Sequence, residues 1–327
     1  VYGISKDIPT EPSMYNTLNL GSKINSTFID IRNFEVYQKK FNEIKPDFLF
    51  HLAAQPIVRE AINNPLDTIL SNAIGTANTL EILRGYEESL TCVLITSDKV
   101  YENKEWVWGY RETDNLGGKD PYSASKSMAE IAVSAYCRTY FSSMDNIRLG
   151  VGRAGNVIGG GDWADHRIVP DCVRSIIAGE ELVINNPHST RPWQHVLDPL
   201  SGYIKLAHSL NYSSELDGEC YNFGPLPSDY TVQDLILEMQ NHWQGIDYKI
   251  NNSSVESVKD KEAKLLKLNC DKALRDLKWE PALDFKNTVK FTTDWYKLYL
   301  ENGNQDDCLY NLTVQQIKMI NEKYGFS

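Results

Sequence analysis

Phe48-Leu49-Phe50-His51-Leu52-Ala53-Ala54 is a continuous apolar run bounded by Pro46 and Pro56. A short run without polar alternation suits a strand covered on both faces, as in a parallel sheet. Outward from it, Pro65 opens a helical stretch with Ile69, Ala73, Ala77, Leu80 and Leu83 at helix-compatible spacing. Cys92-Val93-Leu94-Ile95 reads as the next buried strand. A helix begins near Pro121, where proline suits the first turn, and Leu149-Gly150-Val151 continues the alternation. Repeated strand–helix units predict an α/β fold, a doubly wound parallel sheet with helices on both faces.

Beyond Gly159-Gly160-Gly161 the pattern changes to shorter pieces, such as Leu182-Val183-Ile184 and Cys220-Tyr221-Asn222-Phe223, before helices return. This predicts a larger nucleotide-type domain over residues 1–157, joined by interleaved later segments, and a smaller α/β lobe built mainly from 158–327. The chain after Glu301 is polar at first and reads as a loosely attached helix or tail.

The composition, 42% hydrophobic and 24% charged, is that of a globular protein in water. A net charge of −11 argues against a general nucleic-acid surface, while leaving room for a small anionic ligand held by local arginines. No apolar run is long enough to span a bilayer, and the first residues carry no signal-peptide pattern. Cys92, Cys137, Cys172, Cys220, Cys270 and Cys308 are scattered with no C-x-x-C pair. That usage fits a reduced cytoplasmic enzyme with neither a disulfide framework nor a metal site.

The sharpest chemical signal is Tyr122-Ser123-Ala124-Ser125-Lys126. Four residues apart on a helix, Tyr122 and Lys126 lie on one face, one turn apart. An ammonium there can favour the phenolate and donate to a ribose, making the tyrosine a base for a hydroxyl proton. By itself the spacing recurs by chance on many helices. Thr96-Ser97-Asp98-Lys99-Val100-Tyr101 changes its weight, because it follows a predicted strand. The C-terminal ends of parallel strands are where such sheets bind ligands. Ser97 could then hold the oxygen that Tyr122 deprotonates.

Ser97, Tyr122 and Lys126, in that order on strand and helix, resemble the catalytic set of short-chain dehydrogenase/reductases, a Rossmann-like superfamily. His51-Leu52-Ala53-Ala54-Gln55 resembles the strand and turn beside the cofactor in its extended members. Asn72 in Asn72-Ala73-Ile74-Gly75-Thr76 resembles their N-x-x-G-T helix, whose asparagine helps hold the site together. Asp30, followed by Ile31, matches the position that meets the adenine ring. Each has a plain alternative: His51 ends a buried strand, Gly75 permits close helix–sheet packing, and Asp30 is an exposed strand-end carboxylate. The resemblance implies cofactor contacts at Asp30, Ile31, Leu52, Ala53, Ala54, Asn72, Tyr122 and Lys126.

Three further stretches narrow the family: Glu105-Trp106-Val107-Trp108-Gly109-Tyr110-Arg111-Glu112, Arg153-Ala154-Gly155-Asn156-Val157-Ile158-Gly159-Gly160-Gly161-Asp162-Trp163, and Arg191-Pro192-Trp193-Gln194-His195-Val196. Together they resemble CDP-glucose 4,6-dehydratases over nearly the whole chain. The resemblance places Asn156 and Arg191 along the diphosphate of a nucleotide-sugar, and arginine's forked cation suits phosphate. It implies conversion of CDP-D-glucose to CDP-4-dehydro-6-deoxy-D-glucose with NAD, and a homodimer formed through a helix bundle. Tyr122 would take the C4 hydroxyl proton, and elimination across C5–C6 then needs an acid and a base. Asp98 is the natural acid if burial keeps it protonated. Lys99 stands where the related dTDP-glucose enzymes carry glutamate and where the CDP-glucose enzymes, like this sequence, carry lysine. The pair Asp98 and Lys99 is therefore assigned without fixing which group is the C5 base.

One family element is missing from the sequence. G-x-x-G-x-x-G, which binds the cofactor pyrophosphate at a helix start, does not occur. Val1-Tyr2-Gly3-Ile4-Ser5 resembles the family's second strand, so the expectation is a chain lacking the first strand, loop and helix, roughly 35 residues. Two rivals stand beside the dehydratase. A 4-epimerase shares the serine, tyrosine and lysine but needs no acid for water loss. A non-catalytic nucleotide-sugar binder would need none of the three.

Overall fold

The structure is a computed structural model that describes residues 1–226, 229–251, 265–302 and 307–325. The chain alternates strand and helix as expected. β1 (Tyr2–Ser5) leads through a short helix α1 (Met14–Thr17) to β2 (Asn25–Phe28), and α2 (Phe34–Ile44) leads to β3 (Phe48–His51). Next come α3 (Val58–Asn63), α4 (Pro65–Ile69), a π-helical turn over Leu70–Ile74, and α5 (Gly75–Arg84). β4 (Leu90–Ile95), α6 (Pro121–Thr139) and β5 (Ile147–Ala154) complete the first half.

The later elements are β6 (Val157–Ile158), α7 (Ile168–Ala178), β7 (Leu182–Ile184), β8 (Gln194–His195), α8 (Leu197–Tyr212), β9 (Cys220–Phe223), α9 (Val232–His242) and β10 (Tyr248–Ile250). Three helices follow: α10 (Asp271–Leu277), α11 (Phe285–Asn302) and α12 (Cys308–Tyr324).

Among the described residues the named strands all pair in parallel, in a four-stranded sheet of order β3-β4-β5-β9 and in the pairs β1-β2, β7-β10 and β6-β8. The period of two along β4 divides its side chains between two cores. Cys92 and Leu94 pack with Tyr37, Phe41, Leu80, Leu83 and Val133 from α2, α5 and α6. Val93 and Ile95 pack on the other face with Leu206 and Leu210 of α8 and Ala273 of α10. Helices on both faces make the sheet doubly wound, as expected. Each fully buried leucine here contributes about 1.5–3 kcal/mol.

Two details differ from the sequence reading. β3 is an edge of its sheet, and Phe48 and Phe50 are exposed rather than covered on both faces. Their aromatic bulk suited a buried strand, but burial is decided by neighbours and not by the run itself. The segment after Glu301 is not loosely attached where it is described. Leu309 and Ile320 of α12 are buried, and Gln316 Nε2 donates to the Phe291 carbonyl 2.9 Å away.

A third core holds the later elements together, with Val173 of α7, Leu235 and Met239 of α9 and Trp295 of α11 at its centre. Sequence order and spatial order diverge, since β9, far beyond residue 158, pairs with β5. α8 packs beneath the same strands.

Candidate active site

Strand β4 ends at Ile95, and its C-terminal extension carries Thr96-Ser97-Asp98-Lys99. Ser97 is extended, and its Oγ accepts from the Lys99 amide 3.2 Å away, capping a single 3₁₀ turn over Asp98–Val100. Ser97 Oγ also donates to Asp98 Oδ1 at 3.0 Å. Helix α6 supplies the other half. Asp120 caps it by accepting from the Ser123 amide at 3.0 Å, and Pro121 occupies its first turn.

That start brings Tyr122 beside Ser97, with which it shares a side-chain hydrogen bond. Lys126, one turn on, donates from Nζ to the Ile95 carbonyl at 3.3 Å. Ser97, Asp98, Tyr122 and Lys126 are all buried. Lys99 is partly exposed, with its ammonium 6.0 Å from the Tyr122 ring centre.

The charges differ from the sequence expectation at one point. Tyr122 is pushed up to about 12 by burial, against the Ser97 hydrogen bond and the positive charge of Arg167. Lys126 does not reverse this, because its ammonium turns to the Ile95 carbonyl and is itself pushed down to about 8 by burial. Asp98 is raised by burial, against the attraction of Lys99, the Ser97 hydrogen bond and the charge of Arg191. Its Oδ2 has no hydrogen-bond partner. A buried carboxyl with an unpartnered oxygen is set up to carry a proton and deliver it.

Arg191 is buried beyond β7, and its Nη1 donates to the Thr190 carbonyl at 2.8 Å. The loop that carries it closes on the acid, since Pro192 and Asp98 Oδ2 both crowd the position of a Gly155 side chain. Asn156 is half-buried directly after Gly155, and its carbonyl accepts from the Gln194 amide at 3.1 Å. Ser97, Asp98, Tyr122 and Arg191 thus converge from β4, α6 and the segment before β8.

The expected cofactor residues separate into two groups. Asn72, in the π-helical turn, accepts from the Gln55 amide at 2.7 Å and donates to the Gln55 carbonyl at 3.0 Å and Ser125 Oγ at 2.9 Å. It therefore ties the turn after β3, which contains half-buried Ala53 and Ala54 and exposed Leu52, to the helix of Tyr122 and Lys126. Asp30 instead accepts from Arg32, through the amide and through Nε at 2.9 Å, which holds its carboxyl below the usual range. Ile31 packs where a Gly75 side chain would lie, with Cδ1 2.5 Å from that position, so Gly75 permits close approach of α5.

A cleft of about 420 Å³ opens at the C-terminal ends of β1 and β2, lined by Ser5, Asp7, Phe28, Pro56, Asp162 and Arg167. Arg167, held by Asp162 at 3.0 Å, links it to the Ser97–Tyr122 cluster through its effect on Tyr122. Among the described residues, no group of His, Cys, Asp or Glu is placed to hold a metal ion. Arg167 was not singled out in the sequence, nor were Glu130 and Arg153, a buried ion pair behind Lys126. Glu130 carried a signal, for it continues the four-residue spacing of Tyr122 and Lys126.

The profile of the GDP-mannose 4,6 dehydratase family matches residues 11–292. The chain is 40% identical to the CDP-glucose 4,6-dehydratase of Salmonella typhimurium over 94% of its own length and 86% of that protein. It is 25% identical to a dTDP-glucose 4,6-dehydratase of Xanthomonas campestris over 90% of this chain and 85% of that one. Among solved structures, the dTDP-glucose 4,6-dehydratase of Bacillus anthracis in complex with NAD superposes with a TM-score of 0.72 at 22% identity, covering 91% and 88% of the two chains. The UDP-glucose 4-epimerase of Thermotoga maritima with UDP-glucose gives 0.73 at 20% identity, covering 92% and 91%. Fold and sequence agree: this chain belongs to the GDP-mannose 4,6 dehydratase family.

Proposed function

We propose that this protein dehydrates CDP-D-glucose to CDP-4-dehydro-6-deoxy-D-glucose, with NAD as its bound cofactor. The observation that carries the reading is Asp98, buried, raised in pKa and unpartnered at Oδ2, beside the Ser97–Tyr122 pair. An epimerase has no use for that proton; a dehydratase needs it for the departing C6 hydroxyl. The choice of CDP-glucose is supported by the 40% identity to the Salmonella enzyme.

The residues divide the work as follows. Ser97 Oγ and Tyr122 Oη grip the C4 oxygen, and Tyr122 takes its proton as the phenolate, a form that the positive nicotinamide of bound NAD would favour over the protonated phenol of the free protein. NAD, when bound, supplies the acceptor for the C4 hydride and returns it at C6. At the cleft beside β1 and β2, Ser5 and Asp7 offer a hydroxyl and a carboxylate that suit ribose hydroxyls of the cofactor. Once C4 is a ketone, the C5 proton is acidic, and Asp98 Oδ2 delivers its proton to the leaving hydroxyl. Arg191 and Asn156 hold the diphosphate, keeping the sugar against Asp98. Lys99 belongs to the same step as Asp98, with its ammonium 6.0 Å from the Tyr122 ring centre.

The test is incubation with CDP-glucose and NAD in deuterium oxide. A product lighter by one water, with deuterium at C5, is expected. A C4 epimer instead would assign the chain to the epimerases, and unchanged sugar with measurable binding would leave only a binding role.

We also infer a homodimer working in the cytoplasm. All six cysteines are free thiols, and among the described residues no helix is long and apolar enough to cross a membrane. Leu66 of α4, Leu70 and Ile74 of the π-helical turn, and Met128 and Ile131 of α6 are exposed on helices that pack together. A shared apolar helix face suits a two-fold helix bundle. Light scattering is expected to give twice the chain mass for the parent and the single-chain mass for Ile131→Glu.

A further inference from the structure

Helix α6 carries three buried polar side chains at four-residue spacing: Tyr122, Lys126 and Glu130, only 8%, 6% and 4% exposed. The proposed reaction uses the first two and leaves Glu130 unexplained. Its carboxylate is fully engaged. Oε1 accepts from Thr96 Oγ1 at 2.5 Å and from Arg153 Nε at 2.8 Å, while Oε2 accepts from Arg153 Nε at 3.0 Å and from its Nη2. Arg153, on β5, continues from Nη1 to Tyr101 Oη at 2.8 Å and to the Glu112 carbonyl at 3.2 Å.

Thr96 is the residue directly before Ser97, so Glu130 joins the end of β4 to the helix of Tyr122. A buried ion pair is a poor way to gain stability alone, since apolar packing of the same volume serves equally well. Its place next to two reacting groups gives it a second use. We propose that Glu130 is a positioning residue: backed by Arg153 and bonded to Thr96, it holds Ser97 in register with Tyr122 and places an anion one helical turn from Lys126. This rests on the dehydratase reading, in which Lys126 acts as a cation.

The groups around Lys126 define the sign. Tyr122 and Glu130 lie on α6, and His51 comes from β3, where Lys126 and burial together push it down to about 3. Arg153 from β5, Tyr101 after β4 and Cys220 from β9, with Sγ 3.9 Å from Glu130, face the carboxylate from its far side. Glu112 acts on Arg153 through its carbonyl. Burial lowers the Lys126 pKa, and Glu130 is the charge that raises it. Removing that anion leaves Arg153 positive and drives Lys126 to lose its proton at a lower pH.

Three variants test this: Glu130→Gln, Glu130→Asp, and the double variant Glu130→Gln with Arg153→Met, which keeps the volume without a lone buried charge. Lys126 is followed in the free protein by NMR of ¹³Cε-lysine, assigned with Lys126→Met, and kcat is followed against pH. The expected result is a Lys126 titration about one pH unit lower in Glu130→Gln, a smaller shift in the same direction in the double variant, and restoration by Asp. The alkaline limb of kcat should move with it, kcat should fall about tenfold, and KM for CDP-glucose should stay within about twofold. An unmoved Lys126 titration with only a lower Tm would overturn the proposal and leave Glu130 a structural residue. A shifted titration in a protein whose parent form does not turn over CDP-glucose would sustain the Glu130 role and reject the substrate.

Discussion

In the proposed reaction Asp98 donates a proton, and burial out of water is what raises its carboxyl toward that form. A carboxylate in such a place is disfavoured, and Lys99, Ser97 and Arg191 offset this only in part. Its folded pKa lies above its unfolded one, so the stability it contributes is complete below the unfolded value. That contribution is lost as pH rises through the folded value. Asp98→Asn should therefore hold its stability better than the parent on the alkaline side while losing the acid. Dehydration should slow by about 10²–10⁴, the usual worth of a positioned general acid. C4 oxidation should survive, because Ser97, Tyr122 and Lys126 are untouched. Quenching with borodeuteride checks this: the variant should yield sugar labelled at C4 that still carries its C6 oxygen. Loss of both steps together would mean that Asp98 supports the Ser97 turn rather than serving as the acid.

Elements meet at the site through single polar side chains. Asn72 is one, satisfying both backbone groups of Gln55 and reaching Ser125 on α6. Asn72→Ala would strand the half-buried Gln55 amide and is expected to destabilise the protein by about 1–2 kcal/mol, read as a lower urea midpoint. Activity should fall as well, since Ser125 immediately precedes Lys126. The structural part of this role was legible from the N-x-x-G-T pattern, and Ser97, Tyr122 and Lys126 were legible from strand–helix order. Such features are local: an apolar run, a cap, a four-residue spacing. Whatever depends on chain folded back from afar was not. The Glu130–Arg153 pair joins residues 23 positions apart, and the shift of Tyr122 arises from tertiary burial. Asp30 has a nearer partner than any of these: Arg32, two residues on, donates to both of its carboxylate oxygens, an interaction contained in the local sequence itself.

Across the whole molecule, one buried carboxyl links segments from distant parts of the chain. Asp198 stands in the first turn of α8, beneath the four-stranded sheet. Its Oδ1 accepts from the Ala282 amide at 2.6 Å and from Tyr324 Oη at 3.2 Å, so α8, the approach to α11 and the end of α12 meet there. Oδ2 has no partner, and burial raises the group to about 6 against those two hydrogen bonds. Between its unfolded value near 4 and that folded value, the native state binds the extra proton, so stability falls as pH rises. At about 1.4 kcal/mol per pH unit the loss is roughly 3 kcal/mol. His51 and His195, buried and pushed down to about 3 and 4, act with the opposite sign over much the same range. Total stability of the parent therefore hides the effect of Asp198, whereas a comparison with Asp198→Asn cancels both histidines. The variant keeps an oxygen for the Ala282 amide and carries no charge. Its urea-unfolding free energy relative to the parent should climb between about pH 4 and about pH 6 by roughly 3 kcal/mol and then level off. A difference that stays constant across that range would mean that Asp198 remains ionised in the folded protein and that its unpartnered oxygen is satisfied by water.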